Sequence, residues 1–206
     1  LISDGSQIRP SPDKRFRWVT YGSSLTHCRR AHSPARTWPA IVARQKHWNL
    51  ISLGYGGNCC LEPMVGMMIR DLPAEFITLK LGINCISGAL APRTFAAAVM
   101  GLVQIIREKK PDTPMVLISP IAYPPKETEA NVVGNTIQHM RADIAEVHAR
   151  LCRRGDKHLY YMNGLDLFNL EENAQYTQDQ CHPNADGIEL MARHFLERVF
   201  RVVSVG

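Results

Sequence analysis

The chain has 206 residues, 45% of them hydrophobic and 21% charged, and carries a net charge of +5. This length suits one α/β domain with a sizeable core, and the composition excludes a disordered chain. Basic residues stand in scattered pairs (Arg29-Arg30, Lys109-Lys110, Arg153-Arg154) without interleaved aromatics, which argues against a nucleic-acid surface, and the longest apolar run, Phe95 to Ile106, is too short to span a bilayer.

Residues 1–13 hold Gly5, Pro10 and Pro12 and read as an N-terminal arm or linker, leaving 14–206 as the folded domain. The first residues have neither the basic start nor the apolar core of a signal peptide, and a cytoplasmic setting is the expectation. Arg15 to Tyr21 is a strand candidate rich in aromatic and β-branched residues. Thr37 to Trp48 reads as a helix with Thr37 as N-cap and Pro39 in its first turn. Leu50 to Leu53 is a second strand, Glu62 to Leu72 a helix, and Phe76 to Leu81 a third strand closed by Gly82. Pro92 to Lys110 reads as a long helix whose basic end suits the helix dipole. Met115 to Ser119 is an unbroken apolar strand, implying cover on both faces. Asn131 to Arg154 is expected to be helical, with Gly155 in the position a C′ glycine prefers. Leu159 to Met162 makes a short fifth strand, and Ala185 to Arg201 a closing amphipathic helix. Strands alternating with helices predict a parallel, doubly wound sheet, whose sites form at the carboxyl ends of the strands.

The segments just past those ends are polar or glycine-rich. Gly22-Ser23-Ser24-Leu25-Thr26 follows the first strand, Gly56-Gly57-Asn58 the second and Gly82-Ile83-Asn84 the third. Asp179-Gln-Cys-His182-Pro183 lies on a loop before the last helix. Alone, Ser24 could cap a turn and Asn84 could end a strand, while Gly54 and Gly56 compete with Gly57. Together, a hydroxyl, a histidine and a carboxylate are the parts of an activated-serine relay. A serine is a weak nucleophile until a base takes its proton, and three residues' separation on a loop lets Asp179 and His182 face one cleft.

These four blocks, in this order over residues 15 to 201, resemble the SGNH (GDSL) hydrolases. The resemblance implies a flavodoxin-like, three-layer α/β/α sandwich with a five-stranded parallel sheet, residues 14–206 being the catalytic domain. It casts Ser24 as nucleophile, His182 as base and Asp179 as its orienter. The Ser24 N–H, the Gly57 N–H and the Asn84 amide form the oxyanion hole. Two positions depart from the usual pattern, where Ser23 and Cys85 stand in place of aspartates. Neither is a triad or oxyanion member. Tyr21-Gly-Ser-Ser-Leu-Thr-His27 followed by Ser33-Pro-Ala-Arg-Thr-Trp-Pro39 resembles a subgroup whose members often carry an upstream β-sandwich domain, some acting as acyltransferases in polyketide tailoring. The start at Leu1 fits a chain cut after such a domain.

The implied activity is cleavage of carboxylic esters with short acyl chains, without metal or organic cofactor, on a small-molecule substrate. The rivals are an acyltransferase using the same acyl-enzyme and a catalytically silent carbohydrate or small-ligand module on the same fold. His27, Arg30, His32 and Cys85 are candidates to line the pocket, and the loop 121–135 is a candidate wall or lid. His139, His148, His158 and His194 are expected on the surface. The six cysteines match no zinc or haem spacing and read as free thiols.

Overall fold

In the computed structural model, residues 12–203 and residue 205 are described; the expected arm over 1–13 falls almost wholly outside them. The elements are β1 (Arg17–Gly22), α1 (Ser24–His27), α2 (Trp38–Gln45), β2 (Asn49–Gly54), α3 (Pro63–Asp71), β3 (Phe76–Lys80), α4 (Pro92–Arg107), β4 (Met115–Ile118), α5 (Ile137–Arg153), β5 (Leu159–Met162), α6 (Gly164–Leu167), α7 (Leu170–Tyr176) and α8 (Ala185–Val202). The strands run parallel in the order β2-β1-β3-β4-β5. Helices α3, α4 and α5 pack in one row and α2 against α8, completing a three-layer α/β/α sandwich. The strand order turns back between β1 and β3, so the crevice for a ligand is expected at their carboxyl ends.

Each layer follows from its apolar pattern. β4 and β3 are buried along their whole length, as strands covered on both faces must be. On α4 the buried residues Phe95, Val99, Leu102, Val103 and Ile106 recur at helical spacing, with Pro92 opening the first turn. Trp18 of β1 anchors an aromatic cluster, its ring centroid 5.3 Å from Phe195 and 5.9 Å from Trp38. Its Nε1–H donates to Thr78 Oγ1 at 3.0 Å, so the buried indole is satisfied.

Several boundaries differ from expectation. The helix expected from Asn131 starts at Ile137, because Asn131 Oδ1 accepts the N–H groups of Val133 (3.1 Å) and Asn135 (2.8 Å) and Gly134 sits at φ +82°. These local bonds hold a turn where a helix would need the same donors. The helix from Thr37 stops at Gln45, and His47 then adopts φ +56°. Helices α6 and α7 were not anticipated. Asn169 and Glu172 form a capping box at the start of α7. His194, expected on the surface, is buried on α8 with Nδ1 3.1 Å from the Leu167 carbonyl. All six cysteines are free in this structure.

Lys80 ends β3 fully buried, and its Nζ has no hydrogen-bond partner among the described residues. Burial lowers its pKa from 10.5 to about 8. Below about pH 8 the folded protein must carry a desolvated ammonium that the unfolded chain leaves in water. Between about 8 and the ordinary lysine value the unfolded state holds more protons, so this group makes stability rise with pH. Lys80→Met keeps the shape and removes the charge, and is expected to stabilise the protein by about 3 kcal/mol at pH 7. The gain should shrink towards pH 10. Denaturant titrations of both proteins at the two pH values measure it, and a variant no more stable at pH 7 refutes it.

Candidate active site

The position of Ser24 is set by a tight turn out of β1. Ser23 N-caps α1, its Oγ accepting the Leu25 N–H at 3.2 Å, so Ser24 is the first residue of the helix. Gly22 is required here because a Cβ would lie 2.2 Å from Thr26 Oγ1. The Trp38 Nε1–H donates to the Leu25 carbonyl at 2.9 Å and ties α1 to α2. The departure at Ser23 therefore retains a capping oxygen.

The partner loop is held as firmly. Buried Asn173 donates through Nδ2 to the carbonyls of Ala122 (3.1 Å) and Gln180 (2.9 Å). Thr177 and Pro183 form an isolated antiparallel bridge, and Asn184 caps α8 by accepting the Gly187 N–H at 2.9 Å. Within this frame Asp179 Oδ1 accepts the N–H groups of Cys181 (3.1 Å) and His182 (2.7 Å), an Asx-type turn. Its Oδ2 lies 2.9 Å from His182 Nδ1, and His182 Nε2 lies 2.9 Å from Ser24 Oγ. With Nδ1–H donating to the carboxylate, Nε2 is left as acceptor for the serine hydroxyl. Burial alone would raise the Asp179 pKa, but the hydrogen bonds from the His182 N–H and ring and from the Cys181 N–H hold it well below the ordinary carboxylate range. A carboxylate so held stays ionised beside the imidazole.

Three donors surround the serine. The Ser24 N–H, at the helix start, makes no hydrogen bond among the described residues, and neither does the Gly57 N–H. Gly57 sits at φ +79°, in a turn closed by the Asn58 N–H on the Tyr55 carbonyl at 3.1 Å. A type II turn requires such a residue at this place, which distinguishes Gly57 from Gly54 and Gly56. Asn84 Oδ1 accepts the Cys59 N–H at 3.0 Å, fixing the amide and leaving its Nδ2 without a partner among the described residues. Ser24, Gly57, Asn84 and His182 share one open cleft of about 420 Å³, with Ile83, Ile86 and Tyr123 as its apolar wall.

Among the other candidates, His27 lines this cleft. Arg30 does not. Its guanidinium donates to Asp179 Oδ2 (2.9 Å) and to the His182 carbonyl (3.1 Å), bracing the loop from behind. His32 lies in the neighbouring depression, 3.6 Å from Asp186. Cys85 is fully buried: Asn84 is helical and the following turn, Cys85–Ser87, carries the thiol inward. The expected pocket thus loses His32 and Cys85, while Arg30 borders the narrower recess beside Ser24 and His182. Of the loop 121–135, Tyr123 reaches the cleft, its N–H held by Glu127 Oε1 at 2.9 Å. Cys181 also borders the cleft, but burial raises its thiol to about 11, so it stays protonated at neutral pH. Sequence reasoning missed Asn173 and the brace by Arg30. Both act over chain separations that carry no local signal.

A family model described as GDSL-like Lipase/Acylhydrolase family matches residues 15–202. Among solved structures, the salicylyl-acyltransferase SsfX3 from a tetracycline biosynthetic pathway is 32% identical, with a TM-score of 0.87 over 96% of this chain and 57% of that one. A Bacteroides ovatus protein assigned as a GDSL-like lipase is 26% identical, with a TM-score of 0.75 over 96% of this chain and again 57% of its own. The chain thus spans little more than half of either protein. A family two carbohydrate esterase from Clostridium thermocellum, 17% identical with a TM-score of 0.72 over 95% of this chain and 66% of that one, shares the fold. A comparison with curated proteins found no match.

Proposed function

Because the chain belongs to the GDSL-like lipase/acylhydrolase family, we propose that it cleaves carboxylic esters of short acyl chains through an acyl-enzyme on Ser24. The observation that carries this reading is the relay of two 2.9 Å contacts, Ser24 Oγ to His182 Nε2 and His182 Nδ1 to Asp179 Oδ2, beside three unused N–H donors. His182 Nε2 takes the hydroxyl proton as Oγ attacks the ester carbonyl, and Asp179 stabilises the imidazolium. The Ser24 and Gly57 N–H groups and Asn84 Nδ2 meet the oxyanion as charge develops. The C–O bond breaks, and the alcohol leaves with the proton held by His182. Water, activated by the same imidazole, then frees the acid. The short-acyl preference is supported by the small apolar wall of the cleft, formed by Ile83, Ile86 and Tyr123 beside Cys181.

A second reading is favoured by the likeness to an acyltransferase at 32% identity. An acceptor other than water would take the acyl group from the same intermediate. Adding primary alcohols during turnover separates the two, since transfer yields a new ester in place of free acid.

The test of the main reading is a fluorophosphonate probe with a panel of p-nitrophenyl esters from acetate to dodecanoate. One adduct on Ser24 and a kcat/KM greatest between acetate and butyrate are expected. An unlabelled Ser24 with no hydrolysis favours a silent binding module, and faster turnover of dodecanoate rejects the short-chain preference.

A further inference from the structure

Two adjacent arginines follow the nucleophile helix, and only one is committed to the loop of Asp179. Arg30 spends its guanidinium on Asp179 and the His182 carbonyl. Arg29 is exposed, forms no ion pair among the described residues, and borders the cleft beside Ser24. The turn that puts it there is Cys28, at φ +56°, whose N–H closes α1 on the Ser24 carbonyl at 2.8 Å. A non-glycine residue in this region is uncommon, and here it redirects the chain immediately after the helix. Arg29 also borders the narrow recess between Ser24, His182 and Met191.

The charges around the cleft have one sign. Its lining includes the guanidinium of Arg29 and no aspartate or glutamate. The nearest carboxylate of the relay, Asp179, already accepts from two backbone N–H groups, the imidazole and Arg30. A guanidinium at the mouth of a cleft without acidic groups attracts anions and repels cations.

We propose that Arg29 is a specificity-determining residue, selecting esters that carry a carboxylate or phosphate group near the reacting carbonyl. The inference rests on the esterase reading only in taking this cleft as the substrate site. An anion there gains a charge-assisted pair with a guanidinium that folding leaves unused. Because the site is open, added salt should weaken the selection.

The experiment compares mono-p-nitrophenyl succinate with p-nitrophenyl butyrate, which differ by a terminal carboxylate on the acyl side. A second pair, 4-acetoxybenzoate and phenyl acetate, places the charge on the alcohol side. In the wild type the anionic member of at least one pair should have a kcat/KM about two- to fivefold above its neutral partner, the size of one ion pair at an exposed site. Arg29→Ala should abolish the ratio, Arg29→Glu invert it and Arg29→Lys keep part of it. Which pair responds tells whether the anion belongs to acyl group or alcohol. Calorimetric binding of the same intact esters to Ser24→Ala, with and without Arg29→Ala, reads the preference without turnover. Hydrolysis that fails on every ester while this binding ratio holds would sink the esterase reading and leave Arg29's role standing. A neutral preference, or ratios and binding unchanged in Arg29→Ala, overturns the proposal while leaving ester hydrolysis intact.

Discussion

Replacing Ser24 by alanine is expected to lower kcat for p-nitrophenyl acetate by about a millionfold, and replacing His182 by alanine to cost as much. Both numbers come from one unit. Ser24 Oγ is useful only while His182 Nε2, 2.9 Å away, can take its proton, so losing either member removes the whole attack. The double variant should therefore be no worse than the single ones. Asp179→Asn is expected to cost about ten-thousandfold, because an amide presents N–H where His182 Nδ1 needs an acceptor and so favours the wrong tautomer. The two backbone bonds to Oδ1 can survive in that variant, so the loop should hold its place. Arg30 would lose its charged partner, and a second variant, Arg30→Met, shows how much of the effect is loss of the brace. In the wild type Asp179 stays ionised well below the ordinary carboxylate range, so its own protonation should leave kcat/KM untouched at neutral and mildly acidic pH. Its contribution to folding runs the same way, present at neutral pH and lost as pH falls through the low folded value. Steady-state kinetics with circular dichroism on each variant decides the matter. A folded Ser24→Ala protein retaining a hundredth of the activity, or costs that add in the double variant, removes the relay.

What was legible in the sequence follows from range. The strands announced themselves through short apolar runs. Ser24, Gly57 and Asn84 could be placed because each falls within a few residues of a strand end, where a doubly wound sheet puts its ligands. Asp179 and His182 are three apart, so their contact is nearly local. Arg30 was legible only as a basic residue near the nucleophile, since its partner is 149 positions away and nothing local pairs them. Cys85 looked like a cleft residue because its neighbour is one, and the helical conformation of Asn84 sends the two side chains apart. Lys80 carries no local signal of burial within the strand Phe76 to Leu81. That its side chain is buried is set by the packed tertiary structure, which brings cysteines of three other segments, Cys28, Cys59 and Cys181, near enough to act on its charge. The false start of α5 had a visible cause, the Asn131 to Gly134 turn, whose Asn and Gly outweigh the surrounding pattern. α7 had a local signal too, in Asn169 and Glu172 three residues apart.

Asn84 offers the sharper separation of catalysis from structure, because its two amide ends do different work. Oδ1 accepts the Cys59 N–H at 3.0 Å, and Nδ2 makes no hydrogen bond among the described residues. If Nδ2 serves the oxyanion, Asn84→Ala should lower kcat by about a hundredfold to a thousandfold with KM little changed, since the bond strengthens only as charge develops. It should also cost about 1–3 kcal/mol of stability, by leaving the Cys59 N–H without its acceptor. Asn84→Asp reverses the pairing of these effects. A carboxylate can keep the Cys59 bond and so much of the stability, yet it turns a negative oxygen towards a position where negative charge must form. Its kcat should fall further than that of the alanine variant. A role confined to holding the Cys59 segment predicts the opposite order, with aspartate nearly as active as asparagine and alanine the poorer enzyme. Thermal denaturation and kcat measured on the same two proteins distinguish these orders, and an active aspartate variant would take Asn84 out of the oxyanion hole.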